Sequence, residues 1–124
     1  MSDFVLLYRS SDQAYREAAG SAEKTRQTLA RWQSWFKEMT EKGQLKNLGQ
    51  PLDRSHGKVV GGKQKAVTDG PYAEAKEVIG GYSVIEARDL DQAAQIASGC
   101  PVLEFGGSVE VRPVLIFADT REGS

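Results

Sequence analysis

Val67-Thr68-Asp69-Gly70-Pro71-Tyr72-Ala73-Glu74-Ala75-Lys76-Glu77-Val78-Ile79-Gly80-Gly81-Tyr82 carries the chain through a tight turn into a strand and gathers polar side chains around that turn. Gly70 tolerates positive φ, Pro71 fixes its own φ, and a proline pushes the residue before it away from the helical region. Asp69, Tyr72, Glu74, Lys76 and Glu77 are therefore expected on a rigid frame, as a preorganised polar site requires. Asp69 is expected both to accept backbone hydrogen bonds of its own turn and to face a cleft with Glu74 or Lys76 nearby.

Working outward, Lys58-Val59-Val60 and Lys65-Ala66-Val67-Thr68 flank Gly61-Gly62, the pattern of a hairpin that delivers the chain to Asp69. Residues 45–52 form a weak strand candidate ended by Pro51. Further upstream, the apolar run 4–8 predicts a strand buried on both faces. Leu29, Trp32, Trp35, Phe36 and Met39 share one helical arc, which predicts an amphipathic helix over 23–42, stopped by Gly43, with Trp32 and Phe36 largely buried. The two tryptophans read as core or interface anchors rather than a cofactor box.

Downstream, residues 82–87 read as a strand. Asp89 and Gln92 form a capping box for a helix whose apolar face is Leu90, Ala93, Ala94 and Ala97. Residues 109–114 alternate into a last strand near a sheet edge, because Pro113 cannot donate to a ladder. The order is strand, helix, two or three strands, helix, strand. That is a split βαβ plan in the α+β class, with two helices on one face of a mainly antiparallel sheet. A single domain over 1–118 is expected, followed by a polar tail over 119–124.

Composition narrows the function. Sixteen basic and seventeen acidic residues leave a net charge of −1 with no long block of either sign, so a nucleic-acid partner is not expected. No apolar run reaches the roughly 20 residues that cross a bilayer, and Met1-Ser2-Asp3 leads into Phe4 without a basic region, so no membrane partner and a cytoplasmic location are expected. One cysteine and one histidine cannot assemble a disulfide or a structural zinc site; no metal or cofactor is expected. Cys100 follows a helix end, where the dipole disfavours a thiolate, and is read as structural.

The stretch 67–82, with Ile85-Glu86-Ala87-Arg88-Asp89 to Ala94 and Val109-Glu110-Val111-Arg112-Pro113-Val114, closely resembles the DGPF-type branch of the YCII-related proteins over residues 43–114. Tyr72 stands where that branch usually has phenylalanine. The resemblance implies a ferredoxin-like fold whose sheets pair across a homodimer as an α+β barrel, but no established reaction. It also implies a functional link to sigma factors, since some relatives lie beside or are fused to sigma-factor modules. The wider group is thought to pair an aspartate with a histidine on the first helix, and the helix predicted over 23–42 contains none.

Two functional classes follow. In the preferred one, the chain is a noncatalytic domain in which Asp69, Tyr72, Glu74 and Lys76 hold a small polar ligand. In the other, it is an acid-base enzyme for proton transfer or isomerisation, using Asp69 with Tyr72 or with His56, the lone histidine, in the loop Asp53-Arg54-Ser55-His56-Gly57.

Overall fold

The computed structural model describes residues 1–71 and 77–116. Strand β1 (Ser2–Ser10) leads through helices α1 (Asp12–Ala18) and α2 (Ala22–Glu41) to β2 (Leu45–Asn47). A hairpin of β3 (Gly57–Gly61) and β4 (Ala66–Gly70) follows, then β5 (Val78–Ala87), α3 (Leu90–Ala97), a short 3-10 helix (Pro101–Phe105) and β6 (Ser108–Pro113). The four long-range strands form one antiparallel sheet in the order β2-β5-β1-β6, and β3 pairs only with β4. This is the ferredoxin-like α+β arrangement with an extra hairpin between its second and third sheet strands. Pro113 closes the edge strand β6 opposite Phe4.

Local chemistry accounts for the boundaries. Ser21 accepts from the Lys24 amide at the start of α2, and Gly43, at φ +69, follows its end. Asp89 accepts from the Gln92 amide at the start of α3, while the Gln92 side chain reaches back to the Arg88 amide. Helix α1 escaped the sequence reading because it is short and polar, with only Ala14 buried.

Phe4, Leu6 and Tyr8 of β1 and Ile85 and Ala87 of β5 meet Trp35 and Met39 of α2 and Ala93 and Ala97 of α3 in one core. Cys100 is part of it, and burial pushes its thiol up to about 12. Ser83 is buried in the same layer but fully engaged: the Tyr8 hydroxyl donates to it at 2.8 Å and it donates to the Leu48 carbonyl at 2.7 Å.

Three expectations are corrected. Strand β1 is buried on one face only; Val5, Leu7 and Arg9 on the other are half-buried, because both long helices cover the same side. Trp32 and Phe36 are half-buried and Leu29 is 55% exposed, because the N-terminal half of α2 faces a groove instead of the sheet. On α3 the buried positions are Ala93 and Ala97, flanked by Ile96, whereas Leu90 and Ala94 are exposed.

Met39→Ala should lower the unfolding free energy by roughly 2–5 kcal/mol, as cavity-forming core truncations do, and Phe36→Ala by clearly less. Urea midpoints of the two variants measure this, and equal losses would contradict the packing of α2.

Candidate functional site

The site is built by the segment between β2 and β3. Its first half is pressed against β5: Pro51 bridges to Gly81, the Leu52 amide donates to the Gly80 carbonyl at 2.9 Å, and the Tyr82 amide donates to the Gln50 carbonyl at 3.3 Å. Gly49 sits at φ +75, where a Cβ would lie 1.7 Å from the Tyr82 carbonyl oxygen.

Arg54 fixes the second half. Its Nη1 donates to Ser10 Oγ at 3.0 Å, and its Nη2 donates to the Ser10 carbonyl at 2.9 Å and to Asp12 at 3.3 Å. Room for the guanidinium comes from a β-bulge. Tyr8 opposes Gly81 and Arg9 opposes Ile79, so Gly80 is the extra residue, and a Cβ on it would lie 3.1 Å from Arg54 Nη1.

Beyond Arg54 the chain makes a tight aspartate turn. Asp53 Oδ1 accepts from the amides of Ser55 at 2.7 Å and His56 at 3.0 Å. The same carboxylate lies 3.3 Å from His56 Nδ1. The Ser55 amide, then the His56 amide and the His56 ring, hold the Asp53 carboxyl below the usual carboxylate range. An ionised Asp53 makes Nδ1 the protonated nitrogen of neutral His56 and leaves Nε2 as an acceptor.

This pair opens on a cleft of about 360 Å³ lined by Arg9, Leu52, Asp53, His56, Gly57, Lys58, Pro71, Glu77, Val78 and Ile79. Arg9 donates to Glu110 at 3.0 Å, and its Nε is buried without an acceptor among the described residues. Glu77 accepts from the Ser108 hydroxyl at 3.0 Å. The wall thus offers donors of both arginine and lysine type, two carboxylates and an imidazole of 86% exposed side chain. Such a set can bind a small polar molecule, and the imidazole can exchange a proton with it.

Of the residues expected at the site, His56 and Glu77 reach this cleft, beside the turn former Pro71. Asp69 lies in strand β4 rather than in the turn, with a 90% exposed carboxylate that accepts from Lys58 Nζ at 2.6 Å. The hairpin is a sheet of its own, exposed except at Val59 and Gly70, and among the described residues Asp69 contacts the cleft lining through Lys58, its cross-strand partner. Tyr72, Glu74 and Lys76, and the tail 119–124, lie outside the described residues. Asp53, Arg9 and Arg54 were missed. The signal for Asp53 was present as an aspartate two and three residues before the amides it caps; the arginines carried none, since a bulge and a sheet register bring them into place.

Among the described residues, no group of three or more His, Cys, Asp and Glu side chains is placed to hold a metal ion, and no helix is long and apolar enough to cross a membrane. The model of the YCII-related domain matches residues 3–118. The chain belongs to the YCII-related family. That match takes in all of β1 but Ser2, all three α-helices and the loop carrying Asp53 and His56, well beyond the motif around Pro71. No curated protein matches the sequence.

Two measurements probe the loop. The Asp53 side-chain carbonyl carbon should titrate below the ordinary value of about 3.9. Because its folded pKa is lowered, the stability Asp53 contributes is present above the ordinary value and lost as pH falls through the folded one; a titration at or above the ordinary value would contradict the turn. Gly49→Ala should cost at least about 1–2 kcal/mol from positive φ alone, seen as a lowered urea midpoint.

Proposed function

We propose that this YCII-related domain, as a member of the DGPF branch, binds a small polar ligand in the cleft beside Pro71. The observation that carries the reading is the convergence of the Asp53–His56 pair with Arg9, Lys58 and Glu77 on one cleft at the end of the sheet. Structural ion pairs have no need of a cavity; a mixed set of donors and acceptors around one is what a small polar molecule requires. Asp69 then supports the site by holding Lys58.

A second reading is acid-base catalysis in the same cleft. It is favoured by the Asp53 carboxylate on His56 Nδ1, which orients the ring and leaves Nε2 to take a proton. In this family member the histidine comes from the loop, not from α2.

The active unit in this reading is a homodimer. Val5, Leu7 and Val84 lie on the sheet face without helices and are half-buried, and Arg9 of the cleft is on that same face. A partner docked there would cover apolar surface and close the cleft from above.

Native mass spectrometry of the freshly purified protein should retain a small molecule that denaturation releases. Arg9→Met and His56→Ala should lower its retention about tenfold or more, the loss of one charge-assisted hydrogen bond. Equal retention by wild type and Arg9→Met would count against the cleft. In sedimentation, the wild type should run as a dimer at micromolar concentration and Leu7→Glu as a monomer.

A further inference from the structure

On the helix side of the same loop lies a second and larger cavity. It is a groove of about 900 Å³ between α2 and residues 48–55, floored by the sheet end. Its volume is in the range of small-molecule sites. Trp32, Phe36, Leu29 and Tyr15 line it. The rings are held in place: Trp32 meets Tyr8 edge-on at 4.9 Å between centroids and lies 5.6 Å from Phe36. Leu29, Trp32 and Phe36 are residues that periodicity assigned to the core and that the fold leaves half-buried or exposed.

Among the described residues, the groove has one cation. Arg54 lines it with a side chain only 10% exposed and with its guanidinium 4.7 Å from the centroid of the Tyr15 ring. A guanidinium has five N–H donors. Three contacts are made, two to Ser10 and one to Asp12, and Nε is buried with no acceptor among the described residues. The charge is also poorly compensated, because Asp12 is 3.3 Å away with a 71% exposed carboxylate whose field is spent largely in water. A desolvated cation in that state favours an anion brought beside it.

We propose that this groove is a second binding site, for an aryl or aryl-aliphatic monocarboxylate whose carboxylate pairs with Arg54 and whose ring lies against Trp32 and Phe36. A carboxylate oxygen can accept the Nη1 hydrogen that the Ser10 hydroxyl leaves unused, a charge-assisted hydrogen bond. A dianionic head fits less well, since Arg54 is the one cation among the described lining residues and Asp53 adds a negative charge to the same wall. The site is distinct from the polar cleft, with which it shares Leu52 and Asp53: Arg9 and Ser10 lie on opposite faces of β1, one lining each cavity.

The test compares 4-phenylbutyrate with 4-phenylbutan-1-ol, which share a skeleton and differ in the charged head. Calorimetry gives the affinities, and the Trp32 indole N–H and the His56 ring protons in NMR spectra give the place. The acid should bind about tenfold or more tightly than the alcohol and shift the Trp32 resonance. Arg54→Gln should remove that preference while the alcohol still binds. Arg54 also holds the loop, so Leu29→Glu provides a second variant at an exposed position: it removes the same apolar contact from both compounds, and its added negative charge should weaken the acid clearly more than the alcohol. Equal affinity of the wild type for acid and alcohol, no binding of either at millimolar concentration, or a shift at His56 with Trp32 unmoved would overturn the proposal.

Discussion

The close approach of residues 48–54 to strand β5 is the constraint on which the rest of the site depends. No side chain could intervene at Gly49, where a Cβ would overlap the Tyr82 carbonyl, and Gly80 leaves the space that Arg54 fills. The bulge at Gly80 is thus not a defect in the β1–β5 ladder. It is the opening through which a loop cation reaches Ser10 and locks the loop to the first strand. With the loop locked, its two sides become two cavity walls, and Leu52 and Asp53 belong to both.

One chain of polar groups in this region is fully satisfied. The Tyr8 hydroxyl, Ser83 and the Leu48 carbonyl form a relay from β1 through β5 to the loop, and burial raises the Tyr8 phenol well above its ordinary value, so the hydroxyl stays a neutral donor. Replacing Ser83 by alanine would strand both the phenol and the carbonyl, which is why a serine occupies a fully buried position between apolar neighbours. The relay and the Arg54 clamp hold the loop from both of its ends.

Much of the fold was legible because it rests on local or periodic signals. The span of α2, the hairpin after Val60, the Asp89 cap and the late proline each rest on signals within a few residues, and each fell close to where the sequence placed it. What failed needed information from elsewhere in the chain. Phe36 and Leu29 lie on the apolar arc, but only the sheet's extent decides that the first half of the arc overhangs a groove. Asp69 looked like a turn residue because it precedes Gly70-Pro71, yet strand pairing with Lys58 runs through it and turns its carboxylate to solvent. Arg54 and Arg9 were illegible, since a loop arginine and a strand arginine become site residues only through register.

Asp53 joins structure to chemistry in one side chain. Its carboxylate is exposed, so burial contributes little to its lowered pKa; the backbone amides of Ser55 and His56 do most of the work. Those same two bonds shape the turn that sets His56 over the cleft. The group that fixes the backbone is therefore the group that orients the imidazole, and it must be ionised for both tasks. A carboxylate held below the usual range keeps the turn closed and the Nδ1 proton in position for as long as it stays ionised. The carboxylate that shapes the turn is thus also the one that orients the ring, and only a change at His56, which leaves the turn's acceptor intact, separates the two.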